Sequence, residues 1–122
     1  MIEVNIDTYV TVEEANEYVG KYYLATDDKN AAWAALEVEQ KEVALRNSAM
    51  AINCIIYPGR KKNADQEMEF PRCYKNGYYF PLNWYETYTK EGASWHCMVD
   101  VPDKVKFAQV EEALELVSRS TD

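Results

Sequence analysis

The chain contains a single histidine, His96, and three cysteines, Cys54, Cys73 and Cys97, at wide, irregular spacings with no C-x-x-C pair. One histidine excludes the usual zinc-enzyme triads and most base-assisted nucleophiles. His96 adjoins Cys97, and neighbours on an extended chain point to opposite faces, so a packing or surface role is expected for it rather than a shared metal. An odd cysteine count without a signal-like N-terminus reads as reduced thiols in a soluble, intracellular protein. Glycine and proline number only four each, which excludes collagen-like and low-complexity chains. The best apolar run, Ala49 to Tyr57, is about half the 18 to 20 residues of a membrane span and contains Asn53, so no membrane partner is expected. No P-loop, GxGxxG or GxSxG motif is present.

Positive charge is also scarce. Thirteen Lys and Arg stand against 21 Asp and Glu, a net charge of −8 that repels phosphate backbones unless cations are gathered locally. The acidic residues fall at spacings that solvated helix faces produce, so no catalytic residue, metal or cofactor is assigned.

What is present suits one globular domain of 122 residues. After an extended start, Ile2 to Ile6, Thr11-Val12-Glu13-Glu14 fits a capping box, and Val12, Ala15, Val19 and Tyr22 continue as one apolar stripe on a short helix. Asp27 to Asn30 reads as a loop, with Asn30 capping a brief helix, Ala31 to Leu36, that carries Trp33 inward. The longest helix is expected next, with Val38, Leu45, Ala49, Ile52 and Ile56 on its core face. Its last turns, Ala51 to Tyr57, are apolar nearly all round, which points to burial or a partner, and Pro58-Gly59 stops it.

From Gly59 onward aromatics replace the helical period. Asn76-Gly77, between Cys73-Tyr74-Lys75 and Tyr78-Tyr79-Phe80, is the pair a type I′ hairpin requires. Trp95 to Val99 supplies a further strand or extended return. Asp100-Val101-Pro102-Asp103 starts the last helix, with proline in its first turn and a stripe of Phe107, Val110, Leu114 and Val117. The expected fold is therefore mainly α: about four helices with a β-hairpin inserted between the third and the last. The only local positive charge is Arg60-Lys61-Lys62 with Arg72 and Lys75, interleaved with tyrosines. Composition favours protein contact or packing there over single-strand binding, because Asp65, Glu67 and Glu69 offset it.

The order Asp7 to Ala15, Trp33 with Ala35-Leu36, Lys41 to Leu45, Tyr57-Pro58-Gly59-Arg60-Lys61, Gln66, Phe70-Pro71-Arg72 and Val101 to Ala108 resembles a family of small tailed-phage proteins. That family carries two labels, head–tail connector (adaptor or head-completion) protein and DnaT-like single-stranded-DNA-binding protein. Phe70 stands where Trp is common, and residues 73–98 are longer and more aromatic than the family pattern. The resemblance implies a structural protein of the virion neck, made in the host cytoplasm. It would form a homo-oligomeric ring, commonly of twelve, on the portal protein, meet a tail or stopper protein, and let double-stranded DNA pass without specific binding. The contact residues it suggests are Ile55, Ile56, Tyr57, Arg60, Lys61, Arg72, Tyr78, Tyr79 and Trp84. The alternative is a single-stranded-DNA-binding protein using Arg60, Lys61, Lys62, Arg72 and the adjacent tyrosines.

Overall fold

Thr11 opens the first helix by the expected reciprocal cap: its hydroxyl accepts from the Glu14 amide at 3.0 Å and the Glu14 carboxylate accepts from the Thr11 amide at 3.0 Å. In the computed structural model, which describes residues 1–75, 85–90 and 93–120, this helix, α1, runs Val12–Tyr22 and buries Val12, Ala15 and Val19. Tyr22 leaves the predicted stripe and is exposed, grouped with Tyr18 and Phe107. Residues 2–6 are not extended: the Ile6 amide turns back to the Glu3 carbonyl, and Asn5 adopts a positive φ.

Helix α2 spans Asp28–Ala34, three residues earlier at its start than the sequence predicts, because Asp27 takes the capping role and accepts from the Lys29 amide at 2.8 Å. Asn30 instead donates to the Tyr23 carbonyl and ties α2 to the end of α1. Trp33 is buried as expected, its indole N–H donating to Asn16.

Helix α3, Val38–Asn53, packs Ala44, Leu45, Ser48, Ala49 and Ile52 inward. It is not the longest helix, and it does not reach Tyr57. Residues before a proline disfavour the α region, and the Asn53 side chain is drawn away to accept from the Tyr9 hydroxyl (2.6 Å) and the Glu69 amide (3.2 Å). The helix therefore closes at Cys54, ahead of Pro58-Gly59, and Ile56 falls outside it, 96% exposed. Val38, predicted for the core face, is exposed as well.

The largest departure from a mainly α fold lies after α3. Arg60–Lys61 (β1), Arg72–Lys75 (β2), Tyr85–Lys90 (β3) and Ala93–Met98 (β4) form one antiparallel sheet in the order β1-β2-β4-β3, so the architecture is mixed α and β. Cys73-Tyr74-Lys75 pairs with Cys97, His96 and Trp95 of β4; the turn expected at Asn76-Gly77 lies outside the described residues. Helix α4, Asp103–Ser120, then crosses back along α3, with Val110, Leu114 and Val117 buried as predicted and Phe107 at the surface. Pro102 precedes its first turn, its carbonyl accepting from Val105 and Lys106.

Apolar burial divides into two clusters. Val10, Val19, Trp33, Leu45, Val110 and Leu114 mark the helical one, and Tyr9, Ile52, Met68, Phe70, Tyr74 and Met98 the one beneath the sheet. Gln109 joins them. Fully buried, it accepts from the Tyr9 amide at 2.8 Å and donates to Thr8 Oγ1 (2.8 Å) and the Leu45 carbonyl (2.9 Å). Replacing it with leucine strands a buried amide, and an unmet buried group costs about 1–3 kcal/mol. Gln109→Leu should lower the thermal midpoint by about 5–10 °C, measurable by circular dichroism.

Candidate nucleic-acid interface

The site is built outward from the turn that follows α3. Gly59 has φ of +78°, and a Cβ placed on it would lie 2.2 Å from the Cys73 carbonyl oxygen. Its hydrogen side chain lets β1 come down onto β2, pairing Arg60 with Cys73 and Lys61 with Arg72.

Arg72 is an internal brace. Its side chain is almost wholly buried, and its guanidinium donates to the carbonyls of Pro58 (3.1 Å), Glu69 (3.2 Å) and Tyr57 (3.3 Å) and to the Glu69 carboxylate (3.1 Å). These bonds hold the chain on either side of the loop together. Tyr57 lies beneath that guanidinium and edge-on to Phe70, and its hydroxyl donates to the Ile52 carbonyl. Burial raises the pKa of the Tyr57 hydroxyl; the more deeply buried Tyr9 hydroxyl is pushed up to about 12 by the same effect. Both rings remain neutral packing elements at physiological pH. Lys61 is also turned inward, 3.6 Å from Glu69 and donating to the Gln66 carbonyl. Gln66 completes the loop, accepting from Asn63 and donating to the Met68 and Pro71 carbonyls.

Arg60 behaves differently. Alternation along β1 sends it to the face of the sheet opposite Lys61, where its guanidinium sits 4.0 Å above the centre of the Trp95 ring. Lys75, exposed, is the register partner of Trp95. Lys62 follows Lys61 and reaches the Val99 carbonyl at 3.1 Å. The outward sheet face thus carries a cation stacked on an aromatic ring, with a second cation in register beside it.

On the same face of the sheet as this platform, Cys73 and Cys97 are joined as a disulfide, which corrects the expectation of three reduced thiols. The bonding follows from strand register: the two residues face each other across the β2–β4 ladder, with Cα atoms 4.0 Å apart, a relation hidden by their 24-residue separation. Cys54 remains a free, exposed thiol. His96 is buried in β4 with Nδ1 3.4 Å from Thr87 Oγ1, and no metal-ligating cluster occurs among the described residues.

Of the residues singled out from the sequence, the structure groups Tyr57, Lys61 and Arg72 as one internal brace and sets Arg60 at the surface. Ile55 and Ile56 are exposed at the end of α3. Tyr78, Tyr79 and Trp84 lie outside the described residues. Trp95 was not among the predicted site residues; the available signal was its place beside the alternating strand residues Ser94, His96 and Met98. Among the described residues no helix is long and apolar enough to cross a membrane.

Residues 1–121 match the model of a family described as "Putative DnaT-like ssDNA binding protein". No curated protein and no solved structure matches the chain.

Proposed function

The chain belongs to this DnaT-like family, and from that premise we propose that it binds single-stranded DNA on the outward face of its sheet, at Arg60, Trp95 and Lys75. The observation that carries the reading is the Arg60 guanidinium lying 4.0 Å over the Trp95 ring. A base stacks on such a cation–aromatic pair irrespective of its identity, while Arg60, Lys75 and the nearby Lys62 meet the phosphates. The single-strand-binding alternative read from the sequence used Arg60, Lys61, Lys62, Arg72 and the adjacent tyrosines; Arg60 and Lys62 are retained, while the inward bonds of Arg72 and Lys61 favour a loop-holding role for those two. With a net charge of −8, the rest of the surface repels the strand and confines contact to this patch.

The experiment is fluorescence anisotropy with a labelled oligo-dT across a salt series. With Arg60, Lys62 and Lys75 as phosphate contacts, log affinity should fall against log salt with a slope of about −2. Trp95→Ala should weaken binding by about 5- to 100-fold without lowering the thermal midpoint by more than a few degrees. Absence of binding at low salt, or affinity indifferent to Trp95, would refute the proposal.

A second reading, a structural connector of a phage neck, is favoured by one observation, the apolar step of Ile55 and Ile56, 54% and 96% exposed. It expects capture by a portal ring through this step, and negligible oligonucleotide affinity in the same titration.

A further inference from the structure

The disulfide stands in the middle of the outward sheet face. Tyr74 and Met98 belong to the cluster beneath the sheet, so strand alternation sends Cys73 and Cys97 to the opposite side. There Arg60 faces Cys73 across the β1–β2 ladder, Cys73 faces Cys97 across the β2–β4 ladder, and Lys75 and Trp95 form a pair two residues along. The bond is therefore flanked by all three residues of the proposed platform. Both cysteines are closed to solvent, 2% and 6% exposed, although Arg60 and Lys75 beside them are exposed.

The Arg60–Trp95 contact bridges β1 and β4, with the strand that carries Cys73 between them. Its geometry depends on β2 and β4 keeping their register. Strand β1 is two residues long and pairs only with β2, so it follows the movements of β2. The bond joins residues 24 apart, and breaking it returns conformational freedom to the segment between them. The helical cluster around Val19, Trp33, Leu45 and Leu114 contains no sheet residue and does not rely on the bond.

We propose that Cys73–Cys97 is a thiol–disulfide latch on the platform: oxidised, it holds Arg60 on Trp95 in the arrangement that takes single-stranded DNA, and reduction by a dithiol lowers the affinity. This rests on the DNA-binding reading. In the step, a thiolate of the reductant attacks one sulfur and the Sγ–Sγ bond breaks; the second reductant thiol then displaces the mixed disulfide. The reductant gives up two electrons and ends as its own disulfide, while Cys73 and Cys97 each end as a protonated thiol. The freed strands populate the competent arrangement only part of the time, and apparent affinity falls by that fraction. Linkage makes the effect reciprocal: a bound strand protects the disulfide by the same factor.

The test is oligo-dT anisotropy before and after dithiothreitol, with free thiols counted to establish the state. It uses the Cys54→Ser protein, which lacks the exposed thiol able to exchange with the bond. The oxidised form should bind about tenfold more tightly than the reduced form. Cys73→Ala with Cys97→Ala should match the reduced protein and ignore the reductant. Saturating oligo-dT should lower the reduction potential of the bond by about 30 mV, the equivalent of that factor for a two-electron couple. Hydrogen exchange at Lys62, whose amide donates to the Pro71 carbonyl at 2.9 Å, follows the end of β1 without DNA and should quicken on reduction while helical circular dichroism stays constant. Equal affinity in both states, or exchange at Lys62 indifferent to reduction, would overturn the inference and leave the DNA reading intact. Failure of the oxidised protein to bind would overturn both. Loss of the helical signal on reduction would also overturn the latch, since affinity would then be lost by unfolding.

Discussion

Arg72→Leu is expected to be among the most damaging single substitutions in the molecule. The guanidinium serves three main-chain carbonyls and the Glu69 carboxylate from a nearly closed position. Leucine fills the space but leaves those acceptors unmet, and among the described residues Glu69 keeps Lys61, at 3.6 Å. Removing one partner of such a buried pair costs about 3–5 kcal/mol, and the partial exposure of Glu69 places the value toward the lower end. For a chain of this size the thermal midpoint should fall by roughly 10–15 °C. Arg72→Lys should restore little, because one ammonium cannot span the directions the guanidinium covers. Adding Glu69→Gln to the leucine variant should recover part of the loss by removing the stranded charge. If Arg72 were a DNA contact instead, its substitution would weaken oligonucleotide binding at an unchanged midpoint, which calorimetry and anisotropy on one preparation distinguish.

Gly59→Ala should produce a comparable loss by a different route, and it should reach the proposed DNA platform as well. The added methyl would stand 2.2 Å from the Cys73 carbonyl oxygen and 2.7 Å from the Tyr74 ring. That carbonyl belongs to β2, which is laddered to β4 and linked to it by the Cys73–Cys97 bond, so it cannot retreat. The positive φ alone costs a non-glycine residue about 1–3 kcal/mol. Relief is available mainly by lifting β1 from the sheet, which carries Arg60 away from Trp95. The expected result is a lower melting temperature together with a loss of oligo-dT affinity at least as large as that of Arg60→Ala. Unchanged melting and unchanged affinity would show that β1 does not position the platform.

These two sites illustrate where sequence reading was sufficient and where it failed. Thr11 with Glu14, the buried Trp33, and the Val110, Leu114, Val117 stripe were legible because each depends on residues within a few turns of one another, where cap chemistry and a 3.6-residue period decide the outcome. The turn at Pro58-Gly59 was legible in kind, since proline fixes φ and glycine permits the positive φ that the turn uses. The end of α3 was misplaced, because Asn53 is claimed by Tyr9, 44 residues away, and Glu69, partners no local rule identifies. The β2–β4 pairing was missed for the same reason: an Asn-Gly pair signals a turn but does not choose which strand closes beside β2.

The sequence alone therefore determined the existence of the helices, the Thr11–Glu14 cap, the acidic balance and the clustering of five of the thirteen Lys and Arg within residues 60–75, all properties of composition or near neighbours. Tertiary structure decided which of those cations face solvent. Arg60 and Arg72 are chemically equivalent in the sequence, yet strand alternation and register set one on Trp95 at the surface and the other among carbonyls in the interior. That difference arises from long-range pairing, whose free energy depends on contacts between segments far apart in the chain.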